Sequence, residues 1–191
     1  ITSENEKLRM PKGDDPLTKD EVDIIRRWIA GGASFDGPRR DVPIARLGRE
    51  RVHPAAPDVY RAAVPVLAVA WSPDGLRLAT GGYHELLEWD ASDGRLLRRV
   101  GGLPERVTSI VYAASGESIF VGGGAPGDYG EVFAVDLRAS VTARRLWSTD
   151  DLVSSIAASP DGALLAAGSF DRNVALLAPA KGELVWTRKM H

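Results

Sequence analysis

The sequence predicts a mainly β protein, three consecutive four-stranded units read as propeller blades in an incomplete ring, behind one N-terminal helix. Three observations carry this. A strand-and-turn pattern returns three times in one register, its copies are spaced as propeller blades are, and a single strongly helical pattern stands ahead of the first copy.

The repeat is Val66-Leu67-Ala68-Val69-Ala70-Trp71-Ser72-Pro73-Asp74-Gly75. It recurs as Val107-Thr108-Ser109-Ile110-Val111-Tyr112-Ala113-Ala114-Ser115-Gly116 and as Val153-Ser154-Ser155-Ile156-Ala157-Ala158-Ser159-Pro160-Asp161-Gly162. The closing glycines fall 41 and 46 residues apart, and a blade takes roughly 40–45 residues. Each turn is followed by an apolar strand ending in small residues: Leu78 to Gly82, Ile119 to Gly123 and Leu164 to Gly168. A third strand follows in each copy, Leu86 to Asp90, Val132 to Asp136 and Val174 to Ala178. Fourth strands are expected at Leu96 to Val100, Ala143 to Trp147 and Glu183 to Trp186. The blades then span about 64–102, 103–149 and 150–191.

The helix is expected from Thr18. Thr18 can accept from the Glu21 amide while Glu21 reaches back, and Leu17 can pack on Val22 as a hydrophobic staple. Val22, Ile25 and Ile29 follow three- and four-residue spacing, Ile24 and Trp28 widen the stripe, and Gly31-Gly32 supplies a left-handed stop. So broad an apolar face needs a covering surface, for which the residues from Ile1 to Gly13 are too short and polar. Between helix and repeats, residues 37–63 are rich in Pro, Arg and Ala without periodicity. Gly37-Pro38, Val42-Pro43, His53-Pro54 and Ala56-Pro57 read as a semi-rigid spacer.

Composition narrows the function classes. A net charge of −2 gives no long-range pull toward nucleic acid or anionic membrane, and no stretch approaches a membrane span. With no cysteine, the segment can hold no disulfide, thiolate zinc site, iron–sulfur cluster, cysteine nucleophile or covalently attached haem. A start at Ile1 and an end at His191 read as those of a fragment, with further blades expected downstream. Unclosed blades are expected to self-associate.

The Ser72-Pro73-Asp74-Gly75 turn, the small-residue strand ends and Trp89-Asp90, repeated in phase, resemble the WD40 family of β-propellers over residues 64–191. Val135 and Leu177 replace the tryptophan, Ala178 replaces the aspartate, and Gly101-Gly102 stands where a Gly-His pair is expected. The family's buried His, Ser/Thr, Asp and Trp network is therefore expected to be absent or partial. His84 and Asp171 fall in the turn between second and third strands.

Residues 1–36 carry a second resemblance. Arg9-Met10-Pro11 with Gly13, Pro16-Leu17-Thr18 and the run Ile24 to Ala33 look like the C-terminal part of a bacterial c-type cytochrome domain. That resemblance makes Met10 the axial haem ligand in the full-length protein, opposite a histidine of an upstream attachment motif. Cytochrome domains joined by a Pro-rich connector to WD40 repeats resemble an extracytoplasmic group of planctomycetes and their relatives. Gly81-Gly82-Tyr83-His84-Glu85 and Leu103-Pro104-Glu105-Arg106 fit its first two blades.

Other candidates have plainer readings. The glycine-rich run from Gly122 to Gly130 lacks a P-loop lysine and a following helix, so it reads as an elongated hairpin rather than a phosphate cradle. His53, His84 and His191 lie too far apart for a local metal site. Ser72, Ser115 and Ser159 belong to repeating turns and read as caps, not nucleophiles. Trp71, Trp89, Trp147 and Trp186 read as intersheet packing. The expectation is a non-enzymatic, periplasmic or otherwise extracytoplasmic propeller that binds a protein partner and follows an electron-transferring cytochrome domain. A second reading makes it the non-catalytic part of a larger redox enzyme, and a third a purely structural propeller with an inert remnant.

Overall fold

The computed structural model describes residues 15–33, 51–138 and 142–190. The chain divides into two compact units, Ile1–Arg51 and Val52–His191. In the first unit, helix α1 (Lys19–Ala30) begins at an N-cap Thr18 with the full capping box. Glu21 Oε2 accepts from the Thr18 amide at 2.8 Å, and Thr18 Oγ1 accepts from the Glu21 amide at 3.4 Å. Those bonds hold the Glu21 carboxyl below its ordinary value. The helix stops as the two glycines require. Gly32 sits at φ +90° and donates to Ile29 O, while Ala33 donates to Trp28 O, the paired bonds that satisfy orphan carbonyls at a left-handed stop. No residue of α1 is buried.

Among its described residues the second unit holds eleven antiparallel strands in two sheets. Blade 1 comprises β1 (Val69–Trp71), β2 (Arg77–Gly81), β3 (Tyr83–Asp90) and the first half of β4 (Leu96–Tyr112). Blade 2 uses the second half of β4, then β5 (Ser118–Ala125), β6 (Tyr129–Asp136) and β7 (Thr142–Thr149). These seven strands form one sheet in sequence order, because β4 pairs with β3 through its first half and with β5 through its second. Blade 3 is a separate sheet of β8 (Val153–Ala158), β9 (Leu165–Ser169), β10 (Asn173–Ala178) and β11 (Glu183–Lys189). All twelve expected blade strands are present, two of them merged in β4. Among the described residues the blades do not close into a ring.

The turn after each first strand repeats in detail. Gly75, Gly116 and Gly162 take φ of +69°, +70° and +71°, a left-handed conformation that glycine adopts without a Cβ penalty. Ser72 donates to Asp74 Oδ1 at 2.5 Å and accepts from the Arg77 amide; Ser159 does the same with Asp161 and the Leu164 amide. The Ser72 hydroxyl, then the Leu76 amide, hold Asp74 below the ordinary carboxylate range. Ser115 accepts from the Glu117 amide, so the three serines cap turns.

Blades stack through two apolar clusters. Between blades 1 and 2 lie Ala79, Leu86, Val100, Val107, Ile110 and Tyr112, and between blades 2 and 3 lie Phe120, Val132, Trp147, Val153, Ile156 and Leu177. The small ends of the second strands follow from this stacking. A Cβ on Gly81 would stand 2.7 Å from the Val107 side chain, and one on Gly122 would stand 2.9 Å from that of Val153. Val107 and Val153 are equivalent residues of successive first strands, so each blade's entering valine occupies the space its predecessor leaves.

Candidate functional site

Among the described residues of the propeller unit the buried carboxylates are Glu85, Glu88 and Glu131. In the first seam Glu88 is buried in β3. It accepts from Arg77 (3.1 Å), Arg98 (2.9 Å) and the Tyr112 hydroxyl (2.9 Å), so every carboxylate oxygen has a donor. Tyr112 belongs to blade 2, and Arg77 also reaches Gly116 O at 3.4 Å, so the cluster ties the two blades together. Burial, then the neighbouring Glu88, raise the Tyr112 phenol above its ordinary value.

A second polar system lies where β2 turns into β3. Glu85 is buried and bonded to Arg99 and to the hydroxyl of Tyr60. Glu131 is buried in β6, bonded to Arg145 at 3.0 Å and to His53 Nε2 at 2.5 Å. An ionised carboxylate only accepts, so that pair keeps a proton on Nε2 of His53. The His53 ring packs 5.8 Å from His84, 5.8 Å from Tyr129 and 5.7 Å from Phe133. His84 sits at φ +61° and pairs through Nδ1 with Leu103 O at 2.9 Å. Burial, then Glu85, push the Tyr60 phenol upward. Beside this system a cleft of about 300 Å³ is lined by Val64, Leu67, Gly82, Tyr83, Glu105 and Val107 among others.

His53 and Tyr60 fall in the stretch read as a spacer, and residues 52–63 of that stretch count with the propeller unit. Sequence reasoning missed both residues because their partners are 78 and 25 positions away and no periodicity marks them. It set His53 and His84 aside for their separation, yet the fold brings their rings together. No group of three or more metal-ligating side chains forms among the described residues. Met10 and His191 lie outside the described residues. The run from Gly122 to Gly130 is a β5–β6 hairpin closed by Ala125 and Tyr129. Trp147 is buried between blades. Trp71 and Trp186 instead stand 62% and 38% exposed, on sheet faces without a neighbouring blade.

Residues 59–90 and 143–176 match the WD40 family, described as WD domain, G-beta repeat. The chain carries WD40 repeats. Among solved structures it is similar to one titled Kuenenia stuttgartiensis hydrazine synthase, with TM-score 0.57 and 22% identity over 65% of this chain and 37% of that one. It is also similar to the structure of U3-55K and to the RRP9 WD40 repeats, each with TM-score 0.56 and 17% identity over 74% of this chain and 42% of theirs. The chain thus spans less than half the length of each. A search of curated proteins gave no match. Trp89 Nε1 donates to Thr80 Oγ1 at 2.9 Å, and Asp171 accepts from the Thr149 hydroxyl and from the Asp150 amide.

Proposed function

We propose that this chain is a non-catalytic WD40 scaffold for protein–protein interaction, working outside the cytoplasm as the propeller part of a c-type cytochrome fusion. The observation that carries the scaffold reading is the match to WD40 repeats; among the described residues, blades 1 and 3 each also keep one apolar sheet face that no other blade covers. Strand register puts Val69, Trp71, Leu78, Leu87 and Trp89 on one face of blade 1, opposite the face that Ala79 and Leu86 bury against blade 2. Leu176 and Trp186 share the face of blade 3 that turns away from blade 2, opposite the face that Ala175 and Leu177 bury. Apolar sheet surface of this kind marks a docking site. Another propeller sheet is the matching occupant, because the interior seams are such contacts.

The isolated chain is expected to self-associate in light-scattering chromatography. Trp71→Glu with Trp186→Glu, both at exposed positions, is expected to restore the monomer. A wild-type chain that elutes as a sharp monomer would remove this reading.

The cytochrome half rests on the capped helix, whose apolar stripe suits a larger domain, and on Met10. Among the described residues of the first unit there is no histidine, methionine or cysteine, so Met10 is the sole ligand proposed. Haem, when bound, supplies one-electron transfer, and thioether ligation raises its potential. In the full-length protein Met10→Ala is expected to abolish the near-infrared sulfur-to-iron band and lower the potential, with propeller melting unchanged. An unchanged band and potential would make Met10 an ordinary loop residue. The likeness to a hydrazine synthase structure supports a second reading, in which the propeller is the non-catalytic part of a larger redox enzyme. Co-purification with a catalytic subunit would favour it.

A further inference from the structure

Glu85 and Glu131 are equivalent residues of successive blades. Leu86, beside Glu85, pairs with Gly81, and Val132, beside Glu131, pairs with the matching Gly122. Their arginines are equivalent too, since Leu87 opposes Arg99 and Phe133 opposes Arg145. Each pair forms the same socket. One carboxylate oxygen, Oε2 of Glu85 or Oε1 of Glu131, takes the arginine of its own blade. The other oxygen takes a donor from residues 52–60: Tyr60 on Glu85 Oε1 and His53 on Glu131 Oε2. Both carboxylate side chains are nearly inaccessible, at 1% and 3% exposure. A buried carboxylate oxygen without a donor is costly, so each socket is built for a second ligand.

Between its anchors the segment is held by its backbone. Arg99 donates to Pro57 O at 2.5 Å, and the backbone of Ala56 passes over Gly101. Pro54 and Pro57 each fix a backbone φ, which lowers the entropy lost on docking, and the chain bends at Asp58 and Val59 before Tyr60. Blade 3 has no such socket, because Asn173 and Thr187 stand where the glutamate and arginine would be.

We infer that residues 52–60 are a self-ligand, and that the paired sockets of blades 1 and 2 form a peptide site for a proline-bearing segment offering hydrogen-bond donors seven residues apart. The blade 1 socket shares a face with Leu87, because Leu87 opposes Arg99, but what makes it a site is the buried carboxylate and not that face being uncovered. A tethered ligand is present at an effective concentration on the order of millimolar, so a free peptide competes only weakly while the strap is docked.

The test uses the whole chain and a fluorescent peptide of residues 52–61. Two measurements run together: tryptic cleavage after Arg61, which reports release of the strap, and anisotropy, which reports peptide binding. In a His53→Ala/Tyr60→Phe variant, cleavage is expected to quicken and the peptide to bind, each by about tenfold over wild type, as loss of tethered competition implies. A control peptide with Ala for His53 and Phe for Tyr60 should not bind. Unchanged cleavage would mean that the sockets do not hold the strap. Faster cleavage without peptide binding, or equal binding of the control peptide, would mean that they are not a peptide site. Should the variant melt early, the wild type decides: excess peptide should accelerate its cleavage and the control peptide should not, and no acceleration overturns the proposal.

Discussion

The seam between blades 1 and 2 encloses a glutamate, and the seam between blades 2 and 3 encloses a tryptophan. Equivalent strands of successive blades make both. In the first, Ala79 and Val100 are small, and the space goes to Glu88 and Tyr112 with their arginines. In the second, the equivalent residues are Phe120 and Trp147, and Ala134 and Ala158 stand where the charged pair would be. Large side chains at one pair of positions thus go with small ones at the other, as close packing of an interior requires. Arg144, the counterpart of Arg98, finds no carboxylate at Ala134 and crosses to blade 3 to donate to Pro179 O at 3.0 Å. The repeat therefore preserves backbone register and total seam volume, while the chemistry filling the seam is free to change.

Breaking the apolar seam should cost most. Trp147→Ala leaves a cavity against Val153 and Ile156, and about 4 kcal/mol is expected from denaturant midpoints at unchanged m. A loss under about 1 kcal/mol would mean that blade 3 is not packed on this residue. Glu88→Ala should cost somewhat less, about 3 kcal/mol, because Arg77 and Arg98 remain partly in water and are less penalised when orphaned.

Tyr112→Phe sharpens the comparison at the smallest scale, with an expected loss of about 1 kcal/mol for one hydroxyl bond. It also carries a pH signature. The Tyr112 phenol is raised in the folded state, so its contribution is complete below the unfolded value of 10.0 and disappears as pH rises above it. Wild type should lose stability in that alkaline window more steeply than Tyr112→Phe, read as the difference of their melting curves. Parallel curves would place the phenol outside the seam's energetics.

How much of this was legible follows from the range of each interaction. The helix cap was readable because Thr18 and Glu21 are three residues apart, and the turns because Ser72 and Asp74 are two apart. The order and register of the strands followed from in-phase repetition. The seam chemistry was not readable. Glu88 meets Tyr112 across 24 residues, and a glutamate at one repeat with alanine or leucine at the others reads as variation rather than as a buried site. Residues 52–60 looked like a spacer because proline and alanine carry no period, and only the fold shows His53 and Tyr60 reaching repeated sockets. The tryptophans split for the same reason: Trp147 has a neighbouring blade, whereas Trp71 and Trp186 lie on faces that none covers.

The central claim is that, among the described residues, blade 2 packs against a blade on both faces while blades 1 and 3 each have one face that no blade covers. Amide hydrogen exchange of the dilute chain tests it directly, because β2–β3, β5–β6 and β9–β10 are all inner strands paired on both edges and differ chiefly in face coverage. The account predicts slowest exchange in β5 and β6, with β2–β3 and β9–β10 opening at lower free energy. Equal protection across the three pairs in a monomeric sample would contradict it.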